Sequence, residues 1–247
     1  MNSPRLLVIQ HEDDCSPEWF GEWFSRAGLH LDVAMGHRGD PIPSVLSHAG
    51  LVVLGGEMGA YDDAAYPWLT ATKQLIATVV EAQQPFLGIC LGHQLAAVAL
   101  GGRVTRNPHG QAKGLTPVAL TAAGQQDELL HKVPVGTLAI QWNSDIVDRL
   151  PADSVELATA PDGTVQAARF GKLAWGVQFH PETSPTEFGA WLAASNENEK
   201  PDDVDAIRVL HDIEQAEAAL RADWAPLAQR FTDIVYASVG TIPLLVS

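Results

Sequence analysis

The chain has 247 residues, of which 46% are hydrophobic and 18% charged, and its formal net charge is −15. These values are typical of a globular protein with a substantial core, arranged as one large domain or two small ones. The excess of acidic residues argues against nucleic acid and anionic membranes as partners, since both favour basic surfaces. The longest apolar runs have the length of strands, so no membrane-spanning segment is predicted.

The cysteine content and the start of the chain indicate a reducing compartment. The two cysteines, Cys15 and Cys90, lie in different sequence contexts and do not suggest a disulfide framework. No secretory signal is recognised, because Met1 leads almost directly into a predicted strand at Arg5. We therefore expect a cytoplasmic protein.

The first hundred residues alternate between short apolar runs and amphipathic segments, which predicts an α/β fold with a mainly parallel sheet. The predicted strands are Arg5–His11, Leu29–Met35, Gly50–Leu54 and Phe86–Ile89. The predicted helices are Pro17–Ala27, Pro67–Ala82 and Cys90–Leu100.

Residues 102–179 are different in character, because strand patterns and turn residues dominate there. The predicted strands are Arg103–Arg106, Leu115–Leu120, Thr137–Trp142, Val155–Thr159, Val165–Phe170 and Leu173–Phe179. Only Asp127–Lys132 has a helical pattern in this stretch. We expect hairpins here to form an antiparallel section beside the parallel sheet.

The chain becomes helical again beyond Pro185. Ser195–Asp203 is polar and is predicted as an exposed loop between helices. The next helix, Asp205–Leu220, is predicted to place four apolar residues on one face: Ile207, Leu210, Ile213 and Leu220. We expect one folded domain over residues 1–190 and a helical extension, residues 191–247, packed on it.

A cysteine at the end of an apolar strand is the most informative feature of the sequence. The G-x-C-x-G pattern around Cys90 is the thiol version of the nucleophile elbow, a sharp strand-to-helix turn. Gly88 and Gly92 suit it because the strand and helix backbones crowd together there. The positive end of the following helix favours a thiolate over a thiol. For Cys90 alone, a buried and inert cysteine is the alternative.

A second motif, Q-F-H-P-E, ends another apolar strand. His180 and Glu182 are two residues apart, so they share a face if extended geometry persists. An imidazole backed by a carboxylate is suited to taking a proton from a thiol. Taken alone, His180 could equally be a half-buried structural histidine and Glu182 an acid at the start of a helix.

The third motif is the G-G-E-M-G run at residues 55–59, which follows another apolar strand. Its backbone N–H groups can line a small concavity that stabilises an oxyanion, with the N–H of Leu91 as a second donor. A plain turn is the alternative for a glycine pair.

Other reactive residue types are assigned less specific roles. His93 is interpreted as a packing or supporting residue near Cys90, and Cys15 as a bystander whose pKa the neighbouring acids raise. Trp19 and Trp23 are interpreted as a core-facing stripe. The remaining histidines lack metal-like spacing, so no metal and no cofactor are predicted.

Together, the three motifs resemble class I glutamine amidotransferase domains, and they occur in that family's order from about Arg5 to Glu187. The G-G-E-M-G-A-Y-D-D version looks most like stand-alone members, similar to the amidotransferase domain of GMP synthase. The resemblance implies a flavodoxin-like α/β domain over residues 1–190. It also implies hydrolysis of the glutamine side-chain amide through a cysteine thioester, with the ammonia passed to an acceptor.

The resemblance assigns roles to individual residues. It implies a catalytic triad of Cys90, His180 and Glu182, and backbone oxyanion donors at Gly56 and Leu91. It places Gln94 and the loop at Asn143, Ser144 and Asp145 against the amino-acid end of the substrate. The sequence departs from the family pattern at Asn143, where many members have His, and at Glu57, where many have Pro.

These departures and the absence of a synthetase leave alternatives open. The chain has no phosphate-binding loop, and about 60 residues after Pro185 are few for an ATP-using domain. A separate synthetase subunit is therefore one predicted partner. The alternatives are a γ-glutamyl peptidase or hydrolase, which the change at Asn143 favours, and a non-catalytic regulatory subunit that docks through its acidic C-terminal helices.

Overall fold

An eight-stranded sheet runs through the protein in the computed structural model, which describes residues 3–195 and 204–240. The strands of this sheet and of two smaller sheets are, in chain order, β1 (Arg5–Gln10), β2 (His30–Met35), β3 (Gly50–Val53), β4 (Phe86–Ile89), β5 (Arg103–Arg106), β6 (Ala112–Pro117), β7 (Ala119–Leu120), β8 (Leu138–Asn143), β9 (Asp145–Arg149), β10 (Val155–Thr159), β11 (Val165–Gly171) and β12 (Ala174–Val177).

The order of the main sheet is β2-β1-β3-β4-β12-β11-β10-β7. The first five strands pair in parallel, and β11, β10 and β7 continue the sheet with antiparallel pairings. The pairs β5–β9 and β6–β8 form two small antiparallel sheets. The predicted mainly parallel α/β fold with an antiparallel section is confirmed.

Helices cover both faces of this sheet: α1 (Glu18–Arg26), α2 (Trp68–Glu81), α3 (Leu91–Ala99), α4 (Pro185–Ser195) and α5 (Val204–Ser238). Strand β1 shows why two cores form, since successive side chains alternate between faces. Leu6 and Val8 join the core beside α1 and α5. Leu7 and Ile9 join the core beside α2 and α3. The carboxyl ends of β4 and β12 therefore meet at one edge of a sheet buried on both sides.

Two predicted elements in the middle of the chain were wrong, and one strand was missed. Asp127–Lys132 forms turns rather than a helix, because the Asp127 carboxylate accepts hydrogen bonds from the N–H groups of Leu129 and Leu130 and from the Trp175 ring. The predicted strand Leu115–Leu120 is two strands, β6 and β7, in different sheets. Strand β9 was missed because three of its five residues are charged; it pairs with β5, and Ile146 and Val147 are buried.

The C-terminal helix buries a different face from the predicted one at its start. Ile213 and Leu220 are buried and Leu210 packs on the core, but Ile207 is 68% exposed. Ala206 takes the buried position, because the buried stripe of α5 repeats every seven residues and Ile207 lies about 100° away from it. Helix α5 packs on α1 and α4.

Two expectations about the C-terminal region remain predictions. The proposed boundary at residue 190 falls inside α4, so the division into a domain and an extension stays a prediction. Ser195 ends α4, and the rest of the predicted loop Ser195–Asp203 lies outside the described residues. Within residues 3–195 and 204–240, no helix combines the length and hydropathy that a bilayer crossing requires.

Candidate active site

Cys90 occupies the sharp turn between β4 and α3. Its backbone has φ +50° and ψ −104°, a conformation that is rare for a residue with a side chain and that accumulates at functional sites. The side chain is only 5% exposed but lines a cavity of about 440 Å³. The backbone N–H of Cys90 donates to the carbonyl of Val177, which joins the turn to the end of β12.

The glycines around the turn are required by the close approach of backbones. A Cβ atom at Gly92 would lie 2.1 Å from the carbonyl oxygen of Val53. A Cβ atom at Gly88 would lie 2.6 Å from the carbonyl carbon of Gly92. Real Cβ atoms do not approach backbone so closely, so this packing of β3, β4 and α3 is possible only with glycine at both positions.

His180 and Glu182 form a buried pair beside the turn. The Nδ1 atom of His180 lies 2.8 Å from Oε1 of Glu182, and both side chains are buried. The backbone N–H of His180 donates to the carbonyl of Ile140 on β8. The ring of Trp191 on α4 meets the imidazole edge-on, with centroids 4.8 Å apart. These contacts fix both the position and the orientation of the imidazole.

The structure brings Cys90 and His180 into contact across ninety residues of sequence. Both side chains line the same cavity, and the sulfur is close enough to influence the imidazole electrostatically. A Cβ atom at Gly55 would lie 2.8 Å from Cε1 of His180 and 3.6 Å from Cβ of Cys90, so the first glycine of the pair leaves room for both groups. Burial alone lowers the pKa of His180, but the charges of Glu182 and Cys90 and the hydrogen bonds to both raise it to about 10. The imidazole therefore favours its protonated form beside the sulfur.

The two residues predicted to supply oxyanion donors, Gly56 and Leu91, are neighbours beside the turn. A Cβ atom at Gly56 would lie 3.2 Å from the side chain of Leu91, so the two residues are neighbours. Among the described residues, neither backbone N–H has a hydrogen-bond acceptor. Leu91 is the first residue of α3, where unpaired N–H groups are inherent to the helix.

The predicted substrate loop lines the same cavity, together with Gln94 on α3. Gln94 Nε2 donates to the backbone carbonyl of Asp145 at 3.0 Å, and Asn143 Nδ2 donates to the same carbonyl at 3.0 Å. The Oδ1 atom of Asn143 is buried without a partner in the described part of the chain. Asn143 therefore offers an unused acceptor, while Ser144 adds a hydroxyl group to the wall.

One wall of the cavity is acidic, and sequence reasoning assigned it no role. Glu12, Asp14 and Glu57 line it, and the Glu12 carboxylate accepts the backbone N–H of Glu57. Burial, reinforced by the charges of Glu57 and Asp14, raises the pKa of Glu12 to about 7. Glu57 was visible beside the glycine pair, whereas Glu12 and Asp14 follow a strand with no recognisable motif.

Cys15 lies in this cavity as well, which its sequence context did not indicate. Its Sγ lies 3.9 Å from Glu12 Oε2, and burial followed by the nearby acids raises the pKa of the thiol well above its usual range. Within the described residues, Glu12, Asp14 and Cys15 are the group with metal-like proximity, their ligand atoms lying within 4.8 Å of one another. The absence of a metal from the reaction stays a prediction.

His93 packs beneath the turn and is held neutral. It contacts Phe170, neither ring nitrogen has a partner among the described residues, and burial lowers its pKa from 6.5 to about 3. On acidification, His93 is therefore protonated at a higher pH in the unfolded chain than in the folded protein. The stability that neutral His93 contributes is full above pH 6.5 and is lost as the pH falls towards 3. As the pH is lowered, we expect the free energy of unfolding to decrease more steeply in the wild type than in His93→Leu.

The pH slopes of the unfolding free energy of the wild type and of His93→Leu should differ by up to about 1.4 kcal/mol per pH unit in this window, since one proton is involved. Urea unfolding of both proteins between about pH 7 and pH 5 measures this difference. Equal slopes for the two proteins would contradict a neutral, buried His93.

The fold and the site together define an α/β protein with a cysteine at a strand-to-helix turn and a histidine–glutamate pair against it. The family model described as "Glutamine amidotransferase class-I" matches residues 29–196. The chain belongs to the class I glutamine amidotransferase family, as its motifs indicated.

Similar proteins include synthases of which this chain spans only a part. The glutamine-hydrolysing GMP synthase of Aeropyrum pernix is 32% identical over 189 residues, covering 76% of this chain and 35% of that protein. The aminodeoxychorismate synthase of Streptomyces griseus is 36% identical over 196 residues, covering 77% and 25%. One subunit of the glutamine-hydrolysing GMP synthase of Methanocaldococcus jannaschii is 34% identical over 141 residues, covering 57% and 68%.

Solved structures agree with the fold. A glutamine amidotransferase from Thermotoga maritima superposes with a TM-score of 0.82 at 27% identity, covering 94% of this chain and all of that chain. A second, from Methylobacillus flagellatus, has a TM-score of 0.81 at 23% identity, covering 95% and 96%, and supports the fold alone.

Proposed function

We propose that the protein hydrolyses the side-chain amide of glutamine through a thioester on Cys90. The observation that carries the proposal is the contact of a strained, cavity-lining cysteine with the buried His180–Glu182 pair. The thiolate of Cys90 attacks the amide carbonyl carbon, and the protonated His180 gives its proton to the leaving nitrogen. Ammonia departs as the C–N bond breaks, and a γ-glutamyl thioester remains.

The second half of the reaction regenerates the enzyme. His180, now neutral, takes a proton from water, and the oxygen attacks the thioester carbonyl. The C–S bond breaks and glutamate is released, while Glu182 holds the imidazole in one orientation throughout. The N–H groups of Gly56 and Leu91 stabilise the oxyanion in both halves. Gln94, Asn143, Ser144 and Asp145 hold the amino-acid end of the substrate.

The ammonia is proposed to pass to a separate synthetase subunit. The resemblance to a relative that is itself named as one subunit of a GMP synthase supports this arrangement. Incubating the purified protein with glutamine and measuring glutamate and ammonia tests the hydrolysis. No turnover, together with no labelling of Cys90 by a glutamine-like electrophile, would favour the non-catalytic regulatory subunit instead.

A γ-glutamyl hydrolase is the second candidate, and the acidic wall favours it. Glu12, Asp14 and Glu57 face the cavity, where Arg106 is the single guanidinium among the described lining residues and lies 3.4 Å from Asp145. The cavity volume of about 440 Å³ lies within the usual range of small-molecule pockets. A γ-glutamyl amide whose leaving amine carries a positive charge would complement this wall.

The two candidates differ in kcat/KM for glutamine and for γ-glutamyl amides with neutral, acidic or basic leaving groups. If the second holds, we expect the basic amide to be preferred, and Glu57→Gln to reduce that preference about threefold to tenfold without changing the value for glutamine. If kcat/KM for every γ-glutamyl amide is equal to or lower than that for glutamine, the γ-glutamyl hydrolase is excluded.

A further inference from the structure

A buried amide lies directly behind the sulfur of Cys90. Gln178 follows the last residue of β12 and is completely buried, and its backbone N–H donates to the carbonyl of Gln166 at 2.8 Å. Its side-chain Nε2 donates to Cys90 Sγ at 3.7 Å. Gln178 is not among the described residues that line the cavity, so it contacts the sulfur from the protein side.

The orientation of this amide is determined by a second glutamine. Gln94 Nε2 donates to Gln178 Oε1 at 3.2 Å, which turns the Gln178 NH₂ group towards the sulfur. Gln94 Nε2 also donates to the backbone carbonyl of Asp145 at 3.0 Å. A continuous line of hydrogen bonds therefore runs from Asp145, the first residue of β9 and part of the cavity lining, through both amides to Cys90.

We propose that Gln178 is a positioning residue whose N–H group stabilises the deprotonated sulfur of Cys90, and that Gln94 holds that amide in the required orientation. An N–H group aimed at a sulfur stabilises the thiolate more than the thiol, because a hydrogen bond to an ionised acceptor is the stronger one. Burial increases this preference, since water cannot replace the donor. The inference rests on the proposed role of Cys90, but its readout requires no turnover.

The test is the pH dependence of alkylation of Cys90 by iodoacetamide, followed by mass spectrometry so that Cys15 is scored separately. Gln178→Met and Gln178→Leu remove the donor and put an apolar side chain of similar size in its place. We expect both to raise the pH midpoint of alkylation by about one unit, which is about tenfold less thiolate at a pH below the midpoint. The groups that face Cys90, namely His180 with Glu182 behind it and Cys15, are unchanged in these variants.

Gln166→Met is the matched control. Gln166 is also a buried glutamine, on the neighbouring strand β11, and its side chain is hydrogen-bonded to Gln141 and Thr164 rather than to Cys90. The substitution therefore removes a buried amide of the same size without touching the sulfur. We expect its alkylation midpoint to match that of the wild type.

Gln94→Met tests the same line of hydrogen bonds from its other end. It frees the Gln178 amide to rotate, so we expect a smaller upward shift of the midpoint. With glutamine as substrate, Gln178→Met should lower kcat and leave KM unchanged, whereas Gln94→Met should also raise KM. Midpoints for both Gln178 variants equal to that of Gln166→Met would overturn the proposal. If the wild type does not turn over glutamine, alkylation still decides it.

Discussion

Replacing Cys90 by alanine is expected to lower glutamine hydrolysis by about three orders of magnitude or more, because no other group replaces a covalent nucleophile. The residual rate should not depend on pH in the way that the wild-type rate does, since the sulfur–imidazole pair is gone. Ammonia release from purified wild-type and Cys90→Ala proteins at saturating glutamine measures the effect. A covalent γ-glutamyl adduct should be trapped on the wild type alone.

Cys15→Ala is the matched control, because it removes the other thiol of the chain from the same cavity. The raised pKa of Cys15 keeps it a thiol, so it contributes no nucleophile, and we expect most of the activity to remain. Comparable losses in the two variants would contradict the assignment of Cys90 as nucleophile. Equal function of wild type and Cys90→Ala in cells would indicate the regulatory subunit.

Gly92→Ala is expected to give the largest loss of stability in the site. The new methyl group would lie 2.1 Å from the carbonyl oxygen and 2.8 Å from the carbonyl carbon of Val53, both of which belong to the backbone of β3. Helix α3 and β3 must move apart, which should cost about 3 kcal/mol of unfolding free energy. Urea denaturation measures it. The folded fraction should also lose activity, because α3 carries Leu91 and Gln94.

Gly189→Ala makes the same change at a helical glycine with space around it. The nearest atoms to its Cβ would be Leu210 Cδ2 and Cδ1, at 3.6 and 3.7 Å, which are ordinary contacts. Alanine is favoured over glycine in a helix by about 0.5–1 kcal/mol, so we expect stability to stay equal or to rise. A loss in Gly189→Ala as large as that in Gly92→Ala would show that the crowding at β3 is not the cause.

Local sequence information was sufficient where short-range rules apply. The strand–Cys–helix turn follows from G-x-C-x-G because only glycine tolerates the backbone approach on either side. The parallel core strands were recognised from continuous apolar runs, and the motifs led to the correct family. The wrong helix at Asp127–Lys132 and the missed strand β9 have different causes. The Asp127 carboxylate accepts local N–H groups and the distant Trp175 ring, which a helical pattern does not reveal. Strand β9 pairs with β5, which is distant in sequence.

By itself, the sequence determined the class of fold and which cysteine lies at a strand-to-helix turn, because these follow from periodicity and from steric limits within a few residues. It also indicated the family, through the resemblance of its three motifs. Only the tertiary structure decided what surrounds that cysteine. The contact with His180, the acidic wall of Glu12, Asp14 and Glu57, and the amide of Gln178 behind the sulfur all join residues from separate elements. Strand order and burial create these contacts, and neither is a property of a local segment.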